Sequence, residues 1–245
     1  MKEIKVRLPD GTEAQHPSGR TVKEILSSWN EEVLGSSVAA KIDGSLVDLS
    51  SPVEEDSSIE PVNISSKEGL EVIRHSISHI MAQAVQDIFD GVKVTIGPSI
   101  EDGFYYDFDY AKTFTPEDLE KIEKRMQEIV SADHPFERRV VSRDEAVALF
   151  DEKGESYKVE LINDLPDEVK EVSLYSQGDF IDLCRGPHIP STGMITAFKL
   201  MSVAGAYWRG DENKKMLQRI YGTGFATPEE MAEYITLVEE AKKRD

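Results

Sequence analysis

Polar and apolar residues alternate over positions 2–8 (Lys-Glu-Ile-Lys-Val-Arg-Leu), and Pro9-Asp10-Gly11-Thr12 then supplies turn chemistry, so the chain is expected to open with a β-hairpin. Thr21 followed three residues later by Glu24 is a capping-box pattern, and Val22, Ile25 and Leu26 extend it into a short amphipathic helix. Further strands are expected at 38–42 and 46–49, joined by an Asp43-Gly44 turn, and at 59–64. Strand, strand, helix, strand, strand, all short, describes a small β-grasp domain. Its histidine, His16, precedes Pro17 and reads as a surface loop residue.

The period changes after Ser65-Ser66-Lys67-Glu68-Gly69. Leu70, Ile73, Ile77, Ile80, Met81, Ala84 and Ile88 recur at helical spacing, which places His75 and His79 on the opposite, polar side with Gln83 and Gln86. Residues 92–96 and 104–108 then read as strands around a Gly-Pro and Asp-Gly loop. Thr115-Pro116-Glu117-Asp118 opens a helix to about residue 131, and Ser142 with Glu145 starts another. Strand-like runs follow at 157–162, 172–175, 180–183, 198–207 and 216–221. Thr227-Pro228-Glu229-Glu230, again a capping box, begins a final helix that runs to the end of the chain. Strands and helices without regular βαβ alternation indicate an α+β fold with a mainly antiparallel sheet. The expected division is 1–64 for the β-grasp domain, 65–226 for the α+β domain and 227–245 for the last helix.

Composition narrows the class. No apolar run is long enough to span a bilayer and no signal-peptide core is visible, so the chain reads as soluble and cytoplasmic, without a membrane partner. The formal net charge of −19, from 47 acidic and 28 basic residues, argues against broad attraction to nucleic acid or anionic lipid. Lys199, Arg209, Lys214, Lys215 and Arg219 form a local basic cluster, which taken alone is an ordinary solvated face.

Two short runs hold most of the reactive side chains. In His75-Ser76-Ile77-Ser78-His79 the imidazoles are four residues apart on a helix, and so one turn apart on one face. Cys184 and His188 repeat the offset through Arg185-Gly186-Pro187, a turn after an expected strand at 180–183. Three imidazoles and one thiol suit zinc, and they equally suit a general acid/base site. An exposed histidine pair beside an unrelated buried cysteine fits the spacing about as well.

Several ordered runs carry a resemblance: Arg74-His75-Ser76 with His79; Gly97-Pro98; Gly103-Phe104-Tyr105-Tyr106-Asp107; Gly154-Glu155-Ser156-Tyr157-Lys158-Val159; Asp182-Leu183-Cys184-Arg185-Gly186-Pro187-His188; Ala204-Gly205-Ala206-Tyr207-Trp208-Arg209-Gly210-Asp211; and Lys215-Met216-Leu217-Gln218-Arg219-Ile220-Tyr221-Gly222-Thr223. With them the chain resembles the N-terminal half of bacterial-type threonyl-tRNA synthetases, a TGS-type domain followed by the editing domain shared with alanyl-tRNA synthetases. The resemblance implies an ester hydrolase that removes serine from seryl-tRNA(Thr) and spares threonyl-tRNA(Thr). Its partner would be the serine-bearing acceptor end of tRNA(Thr). The aminoacylation core, with its ATP and zinc, and the homodimer contact would belong to a longer protein, of which this chain is read as a fragment. Such editing answers a physical limit, since one methyl group gives a synthetic pocket only ~1–3 kcal/mol of discrimination.

The same resemblance implies residue roles. His75 is the water-positioning base, with His79 beside it at the ester and terminal ribose. Lys158 is the cation for water or oxyanion, Asp182 the partner of the seryl ammonium, and Cys184 with His188 closes the pocket. Gly97, Arg185 and one of the strand tyrosines bind substrate. Neighbouring strand residues face opposite ways, and Tyr106 is chosen over Tyr105. No metal is required on this reading, although alanyl-type relatives hold zinc at the matching four positions; weak zinc binding at His75, His79, Cys184 and His188 stays open. Without the resemblance, Lys158 reads as a surface lysine, Asp182 as a partner of Arg185, and Cys184 as a small buried residue. Two other functions fit the same chain: a non-catalytic module that grips the tRNA acceptor arm, and a free-standing trans-editing hydrolase.

Overall fold

The computed structural model describes residues 2–243. It divides into two compact units, the residues up to Ile73 with Gly186–Pro190, and Arg74–Arg185 with the residues from Ser191 onward. The first unit holds strands β1 (Glu3–Arg7), β2 (Glu13–Pro17) and β3 (Arg20–Thr21), helices α1 (Val22–Trp29) and α2 (Glu31–Gly35), then β4 (Ser37–Ile42), β5 (Ser45–Val47), β6 (Pro52–Val53) and β7 (Ser57–Asn63). Its main sheet has the order β2-β1-β7-β4-β5, with β1 and β7 parallel and the other pairs antiparallel. The alternation in β1 turns Ile4 and Val6 inward, where they meet Val22, Ile25 and Leu26 of α1 and Ala40 and Ile59 of the sheet. This is the β-grasp arrangement the pattern indicates. Thr21 and Glu24 form the expected capping box.

Short elements escape the pattern because local hydrogen bonds define them. Asn30 Oδ1 accepts from the Glu32 and Val33 amides and starts α2, and the two-residue strands β3 and β6 pair only with each other. The surface reading of His16 is corrected. The residue lies on β2 opposite Ile4, is 7% exposed, and its Nδ1 accepts from the Arg20 guanidinium at 3.0 Å. Burial and that neighbouring cation hold its pKa below the ordinary value.

Helix α3 (Lys67–Ile88) leads into the second unit. There follow β8 (Lys93–Val94), β9 (Ser99–Ile100), β10 (Gly103–Asp109), α4 (Pro116–Ala132), β11 (Glu137–Ser142), α5 (Arg143–Glu152), α6 (Ser156–Asn163), β12 (Glu171–Gln177), β13 (Phe180–Leu183), β14 (Ala197–Tyr207), β15 (Met216–Phe225) and α7 (Pro228–Lys242). One antiparallel sheet runs β14-β15-β10-β8 with β9 added to β10, and a second runs β11-β12-β13. The mixed α+β architecture with mainly antiparallel strands agrees with the sequence. Thr115 caps α4 with a full capping box to Asp118. Thr115→Ala is therefore expected to lower stability by about 1 kcal/mol in urea unfolding, and an unchanged midpoint would count against this cap. Thr227 accepts from the Glu230 amide and caps α7, which reaches Lys242; the last two residues lie outside the described ones.

One element is corrected. Residues 157–162 lie in helix α6, not in a strand. The buried positions on that helix are Lys158 and Ile162, one turn apart, with Val159 packed against the α5 side of the core around Phe150. Because the residue that marks the helical period is a lysine, a count of apolar positions sees only the accidental alternation of Tyr157-Lys158-Val159-Glu160. Among the described residues, no helix is long and apolar enough to cross a membrane.

Candidate functional site

Helix α3 is buried on both sides within the second unit. Ile77, Ile80, Met81 and Ala84 form the apolar stripe that its periodicity indicates, yet the opposite stripe is not solvated: His79 is 2% exposed and Gln83 is buried too. Polar side chains this deep are tolerated only when partnered. Arg74 Nε donates to the Gly224 carbonyl at 3.0 Å and Ser78 Oγ to the Gly97 carbonyl at 2.7 Å, which fixes the helix against β15 and against the loop before β9. The His75 and His79 rings meet edge to face, with centroids 4.9 Å apart.

Three further segments converge on this polar stripe. From β10, alternation sends Tyr106 inward, while Tyr105 lies on the other face under the Arg219 guanidinium, 3.8 Å from its ring centre. From β13, Asp182 and Phe180 share the buried face while Ile181 and Leu183 pack into the α5–α6 core. From α6, Lys158 is 1% exposed, so the surface reading of this lysine fails. Its Nζ donates to the Tyr106 hydroxyl at 3.0 Å and to the Thr95 carbonyl and forms an ion pair with Asp182 Oδ1, and Tyr106 in turn donates to Asp182 Oδ2 at 2.7 Å. Lysine, tyrosine and aspartate thus form a closed triangle, and Asp182 pairs with Lys158 rather than with Arg185. His79 Nδ1 lies 3.4 Å from Asp182 Oδ2.

The electrostatics follow from burial and these partners. Burial disfavours the Asp182 carboxylate, but Lys158, His79 and Tyr106 more than offset that and leave its pKa below the ordinary value. Burial, reinforced by the adjacent Asp182 charge, raises Tyr106 well above the usual phenol value, so it remains a neutral donor. His79 is lowered to about 3, chiefly by burial, with Asp182 opposing. His75 is lowered by the same cause, against Asp182 and a hydrogen bond to the Gly97 backbone. Both imidazoles are therefore neutral near pH 7, the form that accepts a proton or a metal. His75 Nε2 lies 3.1 Å from Cys184 Sγ.

A pH dependence of stability follows. The unfolded value of His79 is 6.5 and the folded value about 3, so between these limits the unfolded chain binds a proton that the folded site refuses. Stability is full above pH 6.5 and falls as pH drops toward 3, by about 2 kcal/mol from roughly pH 7.5 to pH 5 for one such histidine. Urea unfolding at both pH values should show this loss, and His79→Gln should make the dependence shallower. An equal slope in the variant would rule out His79 as its source.

The structure thus gathers His75, His79, Tyr106, Lys158, Asp182 and Cys184, with Gly97 at the edge. His188 belongs to the segment grouped with the first unit, where Asp48 Oδ1 accepts from its backbone amide at 2.9 Å. Arg185 is exposed, one residue beyond Cys184. Sequence reading did not assign Glu155 or Gln86 here. Glu155 is 8% exposed, takes a hydrogen bond from Gln86 and has its pKa raised by burial. The polar face shared by Gln83, Gln86 and the histidines was the available signal. The Thr95 carbonyl had none, because backbone groups leave no mark in side-chain patterns. The basic cluster is neutralised in place: Lys199 faces Glu123, Arg209 and Lys214 face Glu160, Lys215 faces Asp109, and Arg219 grips Asp107 through two nitrogens at 2.7 and 2.9 Å.

His75, His79 and Cys184 place three nitrogen or sulfur ligand atoms within 4.8 Å of one another, and that donor set fits zinc.

Comparison with known proteins gives two family matches. Residues 4–62 match the TGS domain, and residues 172–221 match the threonyl and alanyl tRNA synthetase second additional domain. The chain is 56% identical to a threonine–tRNA ligase of Pelobacter propionicus and 55% identical to one of Geobacter sp. (strain M21), each over 245 residues, all of this chain and 38% of the relative. It is 51% identical over 242 residues to that of Burkholderia multivorans, covering 99% of this chain and 38% of the relative.

Proposed function

Because this chain belongs with the threonyl-tRNA synthetases through its TGS domain and its second additional domain, we propose that it is an editing hydrolase that removes serine from mischarged threonine-acceptor tRNA. The observation that carries this reading is the buried Lys158–Tyr106–Asp182 triangle beside two neutral histidines, a set of donors and acceptors fixed before substrate arrives. Hydrolysis of an aminoacyl ester adds water across the acyl C–O bond, and the terminal ribose hydroxyl leaves. His75, neutral and at the rim, takes the proton of the attacking water and returns one to the leaving ribose oxygen. Lys158, whose ammonium is held by Thr95, Tyr106 and Asp182, supplies the buried positive charge that stabilises the carbonyl oxygen as it gains charge, and Tyr106 holds that ammonium in place. Asp182 anchors both donors, and each of its oxygens keeps a second lone pair for the seryl ammonium. His79 sets the position of the His75 ring and the terminal ribose. Cys184 is proposed to close the pocket, and Gly97 and Arg185 to touch substrate.

If zinc binds, His75, His79 and Cys184 would hold it, and it would supply Lewis acidity to a carbonyl or water. The hydrolysis proposed here routes no step through it. The chain spans 38% of the length of these ligases. ATP, the core zinc and the homodimer contact are accordingly assigned to the length it does not span.

The test is deacylation of seryl- and threonyl-tRNA(Thr) by the chain, with and without chelator. Loss of serine alone, persisting in chelator, is expected. Hydrolysis of neither ester, with tRNA still bound, would instead establish a binding module, and chelator inactivation reversed by zinc would place a metal in the mechanism.

A further inference from the structure

A second concavity lies in the second unit beyond Cys184, on the side away from the buried carboxylate. It is a trough of about 590 Å³ between β11, the β12–β13 end and the segment that follows α6. Its floor is apolar, made by Leu161, Leu165, Val169, Val172 and Leu183, with Val140 46% exposed at the lip. Arg138 and Arg185 stand at its rim, both exposed, against the single carboxylate of Glu171. The Cys184 main chain forms the wall shared with the candidate site: Ser173 Oγ donates to the Cys184 carbonyl, while Cys184 Sγ faces His75 on the other side. In a chain with net charge −19, two guanidiniums at one apolar trough, neither ion-paired among the described residues, are a local exception.

We infer that this trough takes one unpaired nucleotide of an RNA 3′ end, its base on the aliphatic floor and its flanking phosphates on Arg138 and Arg185. The inference rests on the editing reading, since a ribose ester held at His75 puts the adjoining nucleotide within reach of the Cys184 wall. The volume lies in the range of small-molecule sites, roughly 300–1,000 Å³, and suits a single nucleotide. Guanidinium groups match phosphate oxygens in pairs, and each contact made is read as a salt dependence of binding. The floor lacks an aromatic ring and presents no row of base-edge donors, so contact should be tolerant of base identity.

The test uses the whole chain with two substitutions at exposed positions, Val140→Asp and Arg138→Glu, which place negative charge where the inference puts base and phosphate. Affinity for a 5′-phosphorylated single-stranded RNA trinucleotide, followed by fluorescence anisotropy, should fall about tenfold or more in each variant, with KM for seryl-tRNA(Thr) rising in parallel. Arg138→Glu should also make the dependence of log Kd on log salt shallower by about 0.7, the loss of one phosphate contact on a single strand. Wild-type affinity and salt slope in both variants would overturn the inference, as would equal weakening by an uncharged polyether of similar size. Failure of the unmodified chain to release serine would sink the editing reading separately, and the trinucleotide measurement would still decide the trough.

Discussion

Lys158→Met is expected to abolish serine release, by about 10²–10³-fold or more, and to destabilise the second unit by roughly 3–5 kcal/mol. The two losses have different origins, and that makes them separable. Lys158 and Asp182 are each 2% exposed at the side chain, and neither finds water as an alternative partner. Removing the lysine leaves a buried carboxylate beside Tyr106 and His79, and an uncompensated buried charge is the costly part. In the double variant Lys158→Met, Asp182→Asn the charge is gone, so a large share of the stability should return while hydrolysis stays lost. Measured together, urea midpoints and single-turnover deacylation rates distinguish a scaffold role from a chemical one. Activity within a few fold of wild type in the single variant would remove Lys158 from the reaction. Recovery of activity in the double variant would show that Lys158 acts only by neutralising Asp182.

Gly97→Ala is expected to be nearly as damaging, without altering any charge. A Cβ at this position would fall 2.0 Å from Tyr106 Cδ2 and 2.6 Å from Cε2, where real contacts do not go below about 3 Å. The tyrosine cannot turn aside cheaply: it is wholly buried, stacked near Phe108, and tied by its hydroxyl to both Lys158 and Asp182. The loop must therefore retreat, and with it the Gly97 carbonyl that receives Ser78 and the backbone contact of His75. A shift of about 1 Å at a reacting group costs about 10²-fold in rate, and overpacking of this kind costs about 1–3 kcal/mol. Tyr106→Phe offers the contrast, losing a hydroxyl while leaving the loop in place. It should slow hydrolysis with a smaller effect on His75, read from the pH profile of the reaction. A Gly97→Ala protein with unaltered rate would mean that the loop moves freely and does not set the base.

Much of the architecture was legible because local rules govern it. Capping signals at Thr21, Thr115, Ser142 and Thr227 each start a helix, and the turn at Asp43-Gly44 joins β4 to β5. Alternation in β10 correctly separated Tyr105 from Tyr106, since that separation is a property of the pleat alone. Residues 157–162 were misread where local pattern and packing disagree: the helix is specified by a buried lysine, whose burial depends on Thr95, Tyr106 and Asp182, three partners more than twenty residues away. His16 was misread for the same reason, its partner Ile4 across the hairpin being a matter of register.

For the candidate site, the chain by itself determined which side chains are available and, on α3, that His75 and His79 share a face, because a helix repeats every 3.6 residues wherever it occurs. Whether that face meets water could not be decided there. The tertiary structure decided it by closing β10, β13 and α6 over the polar stripe, which withdrew water from charged and titratable groups and made each of them dependent on a partner distant in sequence. Burial magnifies every electrostatic interaction, so the protonation of the histidines, the pairing of Lys158 and the need for a glycine at residue 97 are properties of the assembled interior and of no single segment.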